Sequence, residues 1–118
     1  MFTTIEIGGV EYKLRLTTRQ SIALEKALGY NPISMLMEMD NDVMPKLGEV
    51  LIILHSMLQP LQHGITMDKV YEIFDEYVAD GHSMFDLIPY FIEVFKQSGY
   101  ITDAAEGASA DVEENAKN

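Results

Sequence analysis

The chain has 118 residues, enough for one domain with a real core and too few for two. Apolar residues make up 47% of it, which argues for globular packing, and the absence of cysteine excludes disulfides, thiolate metal sites and a cysteine nucleophile. A formal net charge of −11 repels a phosphate backbone, so a basic nucleic-acid-binding face is not expected. That charge is read as solubility, with a DNA mimic as the alternative.

Met1 is followed by Phe-Thr-Thr-Ile-Glu-Ile, with no basic region and no apolar run, so no signal peptide is expected. Residues Phe2 to Leu16 alternate in polarity around Gly8-Gly9, a pair suited to the positive φ angles of a two-residue hairpin turn. This loop pairs Ile7 with Val10, Ile5 with Tyr12 and Thr3 with Leu14 on one face, and sets Glu6 against Glu11 on the other. A lone hairpin is marginal in water, so it must lie on helices or join a sheet from another chain.

Thr17 or Thr18 then caps a helix carrying Ile22, Leu24, Ala27 and Leu28, and Gly29 ends it. Asn31 caps a second helix, with Pro32 in its first position and Ile33, Met35, Leu36, Met37 and Met39 along it. Asp40-Asn41-Asp42 is expected as a loop.

The stretch Leu47 to Leu61 is apolar around most of a helical circumference, which belongs in the middle of a fold. Its length favours a helix over a buried strand, and Pro45 and Pro60 bracket it. It is too short and too polar to span a membrane. Thr66 caps a fourth helix with Val70, Ile73, Phe74, Tyr77 and Val78 as its apolar stripe, and Gly81 ends it. Ser83 and Asp86 have capping-box spacing before a last helix that reaches about Ser98. Pro89 either kinks this helix or occupies its first turn. The fold class expected is mainly α: about five helices and an N-terminal β-hairpin over residues 1–101. Residues 102–118, with five acidic residues against one lysine and no aromatic, are expected to form a disordered acidic tail.

Chemistry is hard to find. His82 and Asp86 at i, i+4 read as a local ion pair or a cap contact rather than a metal site. Placing Gly81 at the sixth position of a calcium loop puts Val78 third and Leu87 twelfth, both without oxygens, so an EF-hand is rejected. No phosphate loop, nucleophile elbow or paired carboxylate emerges, so neither an enzyme nor a cofactor is expected. Met35, Met37, Met39 and Met44 cluster, and read either as core filling or as an adaptable binding surface. The last helix carries more apolar surface than so small a domain needs, so some of it is expected to meet another chain.

Two runs go further. EYKLRLTTRQSIALEKALGYNP (Glu11 to Pro32) and LHSMLQPLQHGITMDKVYEIFDEYVADGHSMFDLIPYFIEVFKQSGYI (Leu54 to Ile101) resemble the tail assembly chaperones of long-tailed phages and prophages of Gram-positive bacteria. The likeness spans roughly residues 5 to 101, and its specificity lies in the order and spacing of LRLTTR, LEKALGYNP, HGITMDKVY and DLIP followed by SGYI.

The resemblance implies a non-enzymatic binding protein of the host bacterial cytoplasm, absent from the mature virion. Its partners would be the tail tube protein, the tape measure protein and other copies of itself, with no nucleic acid and no membrane. In such phages a frameshift near the gene's end yields a longer product. Phe85, Phe91, Phe95 and Tyr100, with Met35 and Met39, are the residues expected to contact a partner, the alternative being ordinary core packing. A structural tail-completion or connector component of the virion is the competing function.

Overall fold

A computed structural model describes residues 1–102. Strands β1 (Thr3–Ile7) and β2 (Val10–Leu14) form an antiparallel hairpin, followed by helices α1 (Thr18–Leu28), α2 (Pro32–Asp40), α3 (Leu47–Leu58), α4 (Met67–Ala79) and α5 (Ile88–Ser98). A 3-10 turn, Met84–Leu87, leads into α5. The mainly helical class with an N-terminal hairpin is as the sequence predicts. The expected tail lies outside the described residues from position 103 onward.

The hairpin register is the predicted one: Ile7 opposes Val10, Ile5 opposes Tyr12, Thr3 opposes Leu14 and Glu6 opposes Glu11. Gly8 and Gly9 both have positive φ, 59° and 77°, as a tight turn with the right twist demands. A Cβ on Gly8 would also come within 1.9 Å of the Glu76 carboxylate, which would have to swing aside. Ile5, Ile7, Leu14 and Leu16 are buried on one face, which lies against the helices. That contact supplies the support a two-stranded sheet lacks alone.

Local chemistry sets the helix ends. The Thr17 hydroxyl accepts from the Gln20 N–H at 3.1 Å to open α1, and the Asn31 carboxamide accepts from Ile33 N–H at 2.9 Å to open α2. The Thr66 hydroxyl does the same for Lys69 N–H at 3.1 Å in α4. Helices α1 and α5 stop at the left-handed glycines Gly29 and Gly99, and α4 stops just before Gly81. Pro89 falls in the first turn of α5, where its missing N–H leaves no hydrogen bond unmade.

Helix α3 is the centre of the fold, with Val50, Leu51, Ile53, Leu54, Met57 and Leu58 all buried. It ends at Leu58, just before Pro60, which cannot donate to the preceding turn. Gln62 takes over the exposed carbonyl of Leu58, through both its backbone and its side-chain N–H. Leu47, at the first position of the helix, and Leu61, beyond its end, lie at the surface.

Two other helices rotate away from the predicted faces. In α1 the inward residues are Ser21 and Leu24, and Ile22 and Ala27 point outward. Ser21 can face inward because its hydroxyl donates to the Thr17 carbonyl at 3.0 Å. In α4 Val70, Ile73, Phe74 and Tyr77 are buried, and Val78 is exposed at the edge of the stripe.

Candidate protein-binding surface

The surface begins with the helical period of α2. Pro32 and Met35 are buried, and Leu36 and Met39 half-buried, at i, i+3, i+4 and i+7. Met37 is on the opposite side and is 63% exposed. The helix closes on Asp42, which adopts φ 63° without being glycine. Its N–H donates to the Met39 carbonyl at 3.1 Å, and Val43 N–H donates to the Glu38 carbonyl at 2.9 Å. This pair of reversed hydrogen bonds turns the chain back over α2 and aims residues 43–46 at solvent.

Four large apolar side chains thus become exposed within residues 37–47: Met37, Val43, Met44 and Leu47. Between them and the end of α1 lies an open cleft of about 320 Å³, lined by Tyr30, Met35, Glu38, Val43, Met44 and Glu49 among others. The Tyr30 hydroxyl donates to the Glu49 carboxylate and ties α1 to the start of α3 beside the cleft. Burial, then the hydrogen bond and the charge of Glu49, push the Tyr30 phenol up to about 12, so it remains a neutral donor.

The six expected contact residues separate. Phe91 and Phe95 are fully buried, and Met35 is 5% exposed. The two phenylalanines are not accessible to a partner in this fold, which corrects the expectation built on the wide apolar helix, whereas Met35 lines the open cleft. The face of α5 that holds Phe91, Val94 and Phe95 is the one that meets the hairpin and the other helices, so its aromatic richness serves the core. Met39 is half-buried on the core side of α2.

Tyr100 is also half-buried, edge-on to Phe95 with ring centroids 5.5 Å apart. Its hydroxyl donates to the Glu25 carboxylate at 2.6 Å, so it ties the chain after α5 back to α1. Burial, then Glu25, raise its pKa well above that of a free phenol. Phe85, on the 3-10 turn, is 42% exposed and remains available for contact.

Sequence reading placed Met37 and Met44 in the methionine cluster but chose Met35 and Met39 as the contact residues, and missed Val43 and Leu47. The period through Pro32, Met35, Leu36 and Met39 marks Met37 as the outward residue. No periodicity covers the linker that holds Val43.

Several other polar groups have structural partners. Asp80 accepts the Gly8 N–H at 3.2 Å and holds the hairpin tip. Asp86 accepts the Ser83 N–H at 3.0 Å and faces His82 Nδ1 at 3.2 Å, the cap contact expected. The Ser83 N–H first, and His82 after it, hold the Asp86 carboxyl below its ordinary value. The His82 ring also stacks on Tyr77 at 4.4 Å. Among the described residues no group of three His, Asp or Glu side chains could hold a metal ion, and no helix is long and apolar enough to cross a membrane.

Comparison with known families places residues 1–116 in a family of unknown function, DUF6096, and the chain belongs to that family. No curated protein and no solved structure matches it.

Proposed function

We propose that this member of DUF6096 is a tail assembly chaperone. It binds tail tube subunits, the tape measure protein or both during tail morphogenesis, carries out no covalent chemistry and needs no cofactor. It acts in the host bacterial cytoplasm, associates with further copies of itself and leaves the assembled particle.

The observation that carries this reading is the apolar surface of residues 37–47 on a chain of net charge −11. A chaperone that shields a partner needs exposed apolar area, and clustered apolar surface on a small domain marks contact with another macromolecule. Methionine suits a surface that must adapt to more than one shape, because its thioether side chain is flexible and polarizable. The high negative charge keeps the loaded complex soluble. The ordered motifs LRLTTR, LEKALGYNP, HGITMDKVY and DLIP with SGYI point to the same class.

The test is where the protein resides and what it keeps soluble. Co-expression with a tape measure protein that aggregates alone should retain that protein in the soluble fraction. Antibody or mass-spectrometric search of purified particles should not find the chain. Stoichiometric incorporation into particles would replace the chaperone with a structural tail-completion or connector component.

A further inference from the structure

The two edges of the hairpin are treated differently. Lys13, on β2, gives its N–H to the Gln62 carboxamide oxygen at 2.9 Å and accepts from the Gln62 carboxamide N–H at 2.8 Å. Arg15 N–H donates to the Met57 carbonyl at 2.9 Å. The outer edge of β2 is therefore closed by the chain's own α3 and the loop after it.

Lys13 is paired with Thr4, and its main-chain groups point away from β1. In an antiparallel ladder such a pair directs both residues outward, so Thr4 and Glu6 turn their N–H and C=O groups to the opposite edge. Both residues are exposed, and their main-chain groups have no hydrogen-bond partner among the described residues. β1 reads Thr-Thr-Ile-Glu-Ile, with no proline and no lysine to blunt pairing.

The charge around this edge is one-sided toward the hairpin tip. Glu6 faces Glu11 across the ladder, Glu76 packs on Gly8, and Asp80 holds the Gly8 N–H. The nearest lysine on the outer face, Lys13, has its ammonium 5.1 Å from the centre of the Phe2 ring at the other end.

We propose that β1 accepts a third strand from a partner protein, an extended segment in which apolar residues alternate with lysine or arginine. The main chain of that segment would pair with Thr4 and Glu6, and its basic residues would lie on the outer face beside Glu6, on the side away from Glu11. A second copy of this chain is the poorer occupant, because its own β1 has no basic residue to set against Glu6 and brings a further charge of −11. The edge is built from other elements than the methionine-lined cleft, and the inference stands whether or not that cleft binds tail proteins.

The experiment is fluorescence anisotropy of the full chain with a labelled peptide, acetyl-Thr-Lys-Val-Lys-Val-Arg-Thr-amide. Saturable binding is expected, with none for the same peptide carrying glutamate at the basic positions. N-methylation of one alternate set of peptide amides should weaken binding about tenfold, the worth of one or two main-chain hydrogen bonds, and methylation of the other set should not. Thr4→Pro should weaken it similarly with an unchanged far-UV spectrum. Should that variant fail to fold, the methylated peptides alone decide. Equal binding by both methylated sets would overturn strand addition in favour of bare charge attraction. No binding, or a dimer of the chain that Thr4→Pro dissociates, would overturn the choice of partner.

Discussion

The carboxamide of Gln62 makes both hydrogen bonds of a neighbouring strand to Lys13: it accepts the Lys13 N–H at 2.9 Å and donates to the Lys13 carbonyl at 2.8 Å. One side chain from the loop after α3 thereby imitates a backbone and fixes the hairpin to the central helix, since it also donates to the Leu58 carbonyl at 2.7 Å.

Replacing Gln62 with alanine removes these contacts together. Each is worth about 1 kcal/mol net, and the exposed ones are partly replaced by water, so Gln62→Ala should cost about 1–2 kcal/mol. Urea denaturation followed by far-UV circular dichroism checks this. A midpoint equal to that of the parent chain would show that the clamp contributes nothing.

Phe91 and Phe85 should respond in opposite ways to truncation. Phe91→Ala empties a fully buried site and should cost about 3–5 kcal/mol, enough to unfold much of the population of a small domain. Phe85→Ala changes a half-exposed side chain and should cost less than about 1 kcal/mol. Thermal melts of the two variants separate core from surface. A Phe91→Ala variant that melts with the parent would return α5 to the list of contact faces.

Stability should fall on the alkaline side. Tyr30 and Tyr77 are raised to about 12, each first by burial, then by Glu49 for Tyr30 and by Asp86 for Tyr77; Tyr100 is raised further. A phenol whose folded pKa exceeds its unfolded value of about 10 contributes stability that is complete below pH 10. That contribution is lost as pH climbs through the folded pKa, because the unfolded chain releases the proton first. The melting temperature should therefore decline between about pH 10 and 12, and Tyr30→Phe should lessen the decline. A melting temperature flat across that window would contradict the burial of these phenols.

Much of the fold is legible in the sequence because local chemistry fixes it. Gly8-Gly9 determines the register of the hairpin, and Thr17, Asn31 and Thr66 open helices with side chains that reach one or two residues past the start. What periodicity leaves undetermined is how far each helix is turned about its axis. In α1 both Ile22 and Leu24 fit an apolar stripe, and the packing of α1 against α3 settles on Leu24. The same ambiguity put Phe91 and Phe95 on a contact face. An apolar helix looks alike whether its partner is the same chain or another one, and in α5 that partner is the hairpin. The candidate surface was half visible, as a methionine cluster. Its other half, Val43 and Leu47, depends on the left-handed turn at Asp42, which the triplet Asp40-Asn41-Asp42 marks as a loop without giving its direction.

The exposed apolar residues of the 37–47 segment should govern partner binding without governing folding. Met37→Glu and Met44→Glu place charge on side chains that are more than half exposed, so each should shift stability by less than about 0.5 kcal/mol. Both should weaken binding to a tail protein, since a charge in an apolar contact must be desolvated without a partner. Parent-like affinity in both variants would remove this surface from the account.

The most direct measurement is the mass of the complex. The tagged chain, co-expressed with a phage tail tube protein, is purified and weighed by size-exclusion chromatography with light scattering. The account predicts a stoichiometric complex that the double variant Met37→Glu/Met44→Glu fails to form while remaining folded. A lone monomer from the parent chain, or a complex that the double variant forms equally well, would contradict it.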